Sequence, residues 1–435
     1  MAEQMAEQKR SEPETELVAT ARRVLPGGGF GNVAHEIVIA EGRGSHVWDV
    51  SGNEYVDYLL GSGPMIVGHA HPEVVEVIQQ VASKGTTFFA NNPYGIRLAA
   101  EIVDAVPCAE KVRFVSTGSE ADAYALRLAR AYKKRDKILK FEGGYHGMSD
   151  YGLMSLAPKR ASNYPQPIPD SAGIPASVRD EVLVAPFNDL ETVAGLIREH
   201  KNELAGIIVE PFQRLIPPKP GFLEGLRKLT EENGLLLIFD EVVTGFRFAY
   251  GGAQEYYGVT PDVCTLGKAI GGGFPLAAIA GRADIMAHFD KGAVAEDAFM
   301  VQIGTLSGNP VAAAAGLKTL EILKRPGAYE QIFTTGRALM QGYSQILQDA
   351  RVKAVVVGDA PMFDIVFTER EVKDYRSALG DEAAMKRCNA LLRERGVLKS
   401  ESKYYISTVH TDEDVRFTLD AFGNAITALR EARAA

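Results

Sequence analysis

From about Pro72 to Leu323 the chain alternates short, unbroken apolar runs with stretches of helical periodicity, and this pattern restricts the fold more than any other feature. The runs are Lys111–Ser116, Ile138–Phe141, Val182–Ala185, Gly206–Val209, Leu235–Phe239 and Val263–Leu266. A strand that stays apolar residue after residue has no polar face to show water, so it must be covered on both sides. Repetition of strand and helix then predicts a mainly parallel sheet flanked by helices, an α/β architecture. The two ends read differently. From Glu36 to Leu60 apolar and polar residues alternate around the turn signals Glu41-Gly42-Arg43-Gly44 and Ser51-Gly52-Asn53, which predicts a small antiparallel sheet after a helical start. Beyond Arg325 a long helix, strand candidates Val352–Val357 and Met362–Phe367, and helices near Glu382–Glu394 and Asp412–Leu429 predict an α+β part. The expected division is residues 1–71, 72–324 and 325–435.

Composition limits the partners. With 56 acidic and 47 basic residues the net charge is −9, and no block of like charges stands out, which argues against nucleic acid as the main partner. No uninterrupted run of about eighteen apolar residues occurs, and the first twenty residues lack the apolar core of a signal peptide. Neither membrane spanning nor secretion is expected. The cysteines, Cys108, Cys264 and Cys388, lie far apart and without CxxC spacing. They read as the reduced thiols of a cytoplasmic protein with no metal site.

Glycine is in excess, 43 of 435 residues, and much of it clusters where chemistry is expected. The first cluster is Ser116-Thr117-Gly118-Ser119-Glu120, at the end of an apolar run and the start of a helical pattern. A strand, a glycine turn and a helix start make an anion site, because the free N–H groups of the first turn and the positive end of the helix dipole face one ligand. Read alone, a Ser or Thr before a helix is most often only an N-cap. The second is Leu235 to Glu241, an apolar run ending in Asp240-Glu241. A carboxylate at the carboxyl end of a buried strand stands where open α/β sheets bind ligands, and it needs a cation, several hydrogen bonds or a proton. The third is Cys264 to Gly273, where Lys268 follows an apolar run and precedes a glycine run. A lone lysine is usually a solvated charge, but desolvation there would free its amine to form a Schiff base. A helix start, an aspartate and a lysine together suit a phosphate, a protonated ring nitrogen and an aldehyde, and pyridoxal 5′-phosphate carries all three.

With these residues in view, the chain resembles class III, fold type I pyridoxal-phosphate aminotransferases, and within them the glutamate-1-semialdehyde aminomutases. The resemblance runs from Leu25-Pro26-Gly27-Gly28 to the final helix. It is most specific in Phe141 to Gly147 (FEGGYHG), Ile238 to Arg247 (IFDEVVTGFR), Thr265 to Gly273 (TLGKAIGGG) and Gly304 to Pro310 (GTLSGNP). It implies a large domain with a mainly parallel seven-stranded sheet and small N- and C-terminal α+β parts. By the same resemblance Lys268 would bind the cofactor covalently and shuttle the proton, and Asp240 would pair with the pyridinium nitrogen. Gly118 and Ser119 would hold the phosphate, Tyr145 would stack on the ring with His146 beside it, and Val242 would pack on the other face. Glu210 matches a family glutamate at that site. Thr305 would reach the phosphate of the neighbouring subunit, which implies a homodimer. His69 and His71 match a family stretch that holds no metal and read as structural.

The chain departs from the aminomutase pattern in three places. Ala34 stands where an arginine binds the substrate carboxylate, and Ser62 stands where a tryptophan walls the pocket. The segment Gly396 to Ser407 is shorter than the one that carries the family's gating glutamate, so Glu401 is not equated with it. A mutase must retain its intermediate for a second half-reaction, so these losses favour transfer between two molecules. The expected function is a ping-pong transamination between an amine or amino acid and a carbonyl acceptor. An aminomutase or an epimerase shares the same cofactor core, and a non-catalytic protein could keep the fold. Retention of both Lys268 and Asp240 argues against the last.

Overall fold

The computed structural model describes residues 10–32 and 36–434. Ala34 lies outside them. The chain forms two compact units: Glu73–Arg325 with Glu371–Ala378, and Met1–Pro72 with Pro326–Arg370 and Leu379–Ala435.

The first unit is built on a seven-stranded sheet. Its strands are β1 (Lys111–Val115), β2 (Lys137–Phe141), β3 (Val182–Ala185), β4 (Leu204–Val209), β5 (Leu236–Glu241), β6 (Val263–Leu266) and β7 (Ala277–Gly281), in the order β1-β7-β6-β5-β4-β2-β3. Strands β2 to β6 pair in parallel, and β7 runs antiparallel to both its neighbours. All residues of β4 and β5 are buried, as expected of strands covered on both faces. The apolar runs correspond to β1 to β6, Val182–Ala185 and Val263–Leu266 at both ends and the others to within two residues. Strand β7 is not among them. It reads Ala-Ala-Ile-Ala-Gly, and small residues carry little β preference to mark a strand. Its Ala277 and Ile279 share one core cluster with Ala121, Ala125 and Ala129 of helix α1 (Gly118–Lys133).

Helix α1 starts directly after β1 because of a capping box. The Thr117 hydroxyl accepts from the Glu120 N–H at 3.1 Å, and the Glu120 carboxylate accepts from the Thr117 N–H at 2.9 Å. The structure starts the helix at Gly118.

In the second unit Ile39–Arg43, His46–Asp49 and Glu54–Asp57 form the antiparallel sheet expected from their alternation. A fourth strand, Val397–Leu398, joins it in parallel beside Glu54–Asp57, a pairing that no local pattern marks because it joins distant segments. Val355–Asp359, Met362–Val366 and Tyr404–Tyr405 form a second, antiparallel sheet, accompanied by helices Ala328–Asp349, Glu382–Glu394 and Asp412–Ala434. His69 is bonded through Nε2 to Asp57 at 2.7 Å.

Candidate active site

The chemistry-bearing residues of the first unit gather at the carboxyl ends of its parallel strands. Asp240 is the penultimate residue of β5 and is buried. One carboxylate oxygen lies 2.8 Å from His146 Nδ1, and the other accepts from the Val242 N–H at 3.1 Å and lies 3.3 Å from the Thr265 hydroxyl. His146 is itself buried, and its Nε2 has no hydrogen-bond partner. With Nδ1–H donating to Asp240, the imidazole holds the carboxylate in one orientation, while burial removes competing water.

Two residues at this point were not singled out by sequence. Thr265, in β6, lies level with Asp240 in the parallel register and donates its hydroxyl to Asp122 at 2.7 Å. Asp122 sits in the first turns of α1, buried, and burial followed by the nearby Asp240 charge holds its carboxyl well above the usual range. The two acids therefore share one hydroxyl at the strand end.

The N-terminus of α1 supplies the opposite polarity. Its capping box occupies the N–H groups of Thr117 and Glu120, whereas those of Gly118 and Ser119 have no acceptor among the described residues. They remain donors for an anion. Gly118 is required by packing: a Cβ there would stand 2.8 Å from Val242 Cγ1. The Ser119 hydroxyl accepts from the Met148 N–H at 3.2 Å, which ties the helix start to the loop after β2.

That loop carries Tyr145 and His146. It is fastened by Lys140, a buried lysine whose ammonium donates to the carbonyls of Gly144, Gly152 and Met154 at 3.1, 2.9 and 2.6 Å. Burial pushes the Lys140 ammonium down to about 7. Glu210, the residue after β4, accepts from the Tyr145 N–H at 3.3 Å, so it positions the tyrosine through its backbone. The Tyr145 ring itself is 38% exposed.

Lys268 lies just past β6, the strand next to β5. Its φ of 48° is in the left-handed region, and its amine has no hydrogen bond or ion pair among the described residues. Gly267 before it packs against Val242: a Cβ there would stand 3.1 Å from Val242 Cγ1. The structure thus brings together Asp240 with His146, Glu210 with Tyr145, and Gly118 and Gly267 with Val242. Thr305 is not joined to them. It is exposed, and its carbonyl accepts from the Thr87 hydroxyl at 3.3 Å.

A family model described as aminotransferase class-III matches residues 30–426. The chain belongs to the class-III aminotransferase family. Among solved structures, this aminotransferase is similar to an omega-transaminase from Sphaerobacter thermophilus, at 34% identity and a TM-score of 0.91 over 97% of this chain and 99% of that one. A transaminase with pyridoxal phosphate bound is 31% identical, with a TM-score of 0.89 over 98% and 100% of the two chains. A glutamate-1-semialdehyde aminomutase from Pseudomonas aeruginosa PAO1 shares the fold, at 24% identity and a TM-score of 0.85 over 96% and 94%. The class-III aminotransferase is a pyridoxal-phosphate-dependent transaminase. The residues present suit that cofactor. Free N–H donors at the start of α1 match a phosphate, the Asp240 carboxylate with its buried imidazole partner matches a protonated ring nitrogen, and the unpartnered Lys268 amine matches an aldehyde. Among the described residues no helix is long and apolar enough to cross a membrane.

Proposed function

We propose that the class-III aminotransferase takes the amino group of an amine or amino acid bulkier than glutamate-1-semialdehyde and passes it to a second carbonyl compound, with Lys268 and Asp240 as its catalytic residues. Bound pyridoxal phosphate supplies an aldehyde for the donor nitrogen and a ring that accepts electron density from the donor carbon. Lys268 would anchor the cofactor covalently, and its amine would carry the proton between the donor carbon and the cofactor's exocyclic carbon. Asp240, oriented by His146, keeps the ring nitrogen protonated. Gly118 and Ser119 would hold the phosphate, with Tyr145 and Val242 beside the ring. Glu210 sets the position of Tyr145.

The observation that carries transfer over isomerisation is Ala34, which leaves no arginine where an aminomutase clamps its substrate carboxylate. Ser62 in place of the wall tryptophan supports a larger substrate. The higher identity to transaminases, 34% and 31% against 24%, points the same way.

The working unit in this reading is a homodimer in which Thr305 reaches the neighbouring phosphate. Its support is an exposed apolar surface around Thr305, including Phe89 at 70% and Ile303 at 72% exposure. We place the enzyme in the cytoplasm, a reading supported by three buried cysteines outside any disulfide. We also retain 1–71, 72–324 and 325–435 as its three sequence segments. The test is turnover of purified holoenzyme on a panel of amino donors with and without a carbonyl acceptor. Acceptor-dependent transfer with equal amounts of ketone or aldehyde and new amine is expected. Efficient isomerisation of glutamate-1-semialdehyde without any acceptor would return the chain to the aminomutases.

A further inference from the structure

Three residues beyond Glu210 a turn begins: the backbones of Gln213 and Ile216 bond reciprocally, N–H to carbonyl at 3.1 and 2.8 Å, and enclose Arg214-Leu215 as a two-residue turn. Arg214 has φ of 61°, a left-handed conformation at a turn position that glycine fills most easily. A side chain retained at such a position calls for a role. The backbone is held in place by Glu210: one carboxylate oxygen accepts from the Arg214 N–H at 2.8 Å, and the other from the Tyr145 N–H at 3.3 Å. The guanidinium lies 5.8 Å from the centroid of the Tyr145 ring. It is half-buried and makes no ion pair or hydrogen bond among the described residues. The nearby acids are otherwise engaged, Glu210 by two backbone N–H groups, Asp240 by His146, and Asp122 by Thr265. A planar cation with all its donors unused, fixed beside the tyrosine of the cofactor site, presents a fork that matches a carboxylate.

We propose that Arg214 binds the carboxylate of the amino donor or of the keto acid acceptor, and so selects amino acids and keto acids over plain amines. This rests on the transaminase reading, because it concerns the substrate of that same site. It also accounts for a chain that has lost the arginine at position 34 and carries an unused one here.

The test compares wild-type holoenzyme with Arg214→Gly and Arg214→Lys on 3-amino-3-phenylpropanoate and 1-phenylethylamine, two donors that differ by the carboxylate. Removing a hydrogen bond to a charged group should lower kcat/KM for the carboxylated donor about tenfold to a hundredfold, mainly through KM. The amine without a carboxylate should change less than about threefold, and lysine should restore part of the loss by supplying charge without the fork. A second readout needs no turnover: 3-phenylpropanoate should raise the melting temperature of wild type and not of Arg214→Gly. Arg214→Gly without ligand should melt no lower than wild type, since glycine suits the turn. Equal loss with both donors, or undiminished stabilisation of Arg214→Gly by 3-phenylpropanoate, would overturn the proposal. A wild type that transfers no amino group yet is stabilised through Arg214 would overturn the transaminase reading and leave the anion site standing.

Discussion

Asp240 reaches its strand end with one oxygen fixed by an imidazole and the other by a backbone N–H and a threonine hydroxyl, so what remains available is charge directed at a cofactor. Asp240→Asn keeps the size of the side chain and removes the anion. The half-reaction with a good donor, followed by the absorbance of the cofactor in a single turnover, should slow at least about a hundredfold, the range for loss of one electrostatic stabiliser. A rate within a few fold of wild type would contradict the role. Asp240 and Lys268 were legible in the sequence for one reason: each is a charge at the end of an apolar run, where an unpartnered charge is costly. Asp122 was not legible. An acid near a helix start is ordinary, and only the sheet register, which sets Thr265 level with Asp240, gives it company. Arg214 was hidden in the same way, in a turn whose reversal depends on the pairing of Gln213 with Ile216.

Helix α1 serves the site through its first turn, and that turn is set by how closely it approaches β5. Gly118 permits the approach, because any Cβ would meet Val242 at 2.8 and 3.2 Å. Gly118→Ala should therefore push the free N–H groups away from the phosphate and weaken pyridoxal phosphate binding about tenfold or more, as overpacking of a fitted contact does. Adding Val242→Ala should recover part of the affinity, and equilibrium titration of the apoenzyme with cofactor measures both. Unchanged affinity in Gly118→Ala would show that the contact relaxes at no cost. The strands β1 to β6 were readable because branched and large apolar residues mark a doubly covered strand. β7 escaped because alanine and glycine, which make up most of it, do not. The two-residue strand Val397–Leu398 escaped because nothing local specifies a partner from the other end of the chain.

At the scale of the whole molecule, the proposed homodimer would bring Thr305, exposed on an apolar surface, to the neighbouring copy. The holoenzyme should sediment as a dimer or larger, and Thr305→Ala should retain cofactor less well on dialysis; an active monomer at assay concentration would contradict both. This expectation came from the resemblance in Gly304 to Pro310 rather than from any residue pattern, because association between copies leaves no periodicity in one chain. Centrally, we propose that the carboxyl ends of the parallel strands bind pyridoxal phosphate with Lys268 as its covalent anchor. Borohydride reduction of the holoenzyme followed by peptide mass mapping tests it most directly. The predicted result is a single pyridoxyl phosphate adduct on Lys268, absent from Lys268→Ala. An adduct on another lysine, or one undiminished in that variant, would contradict the account.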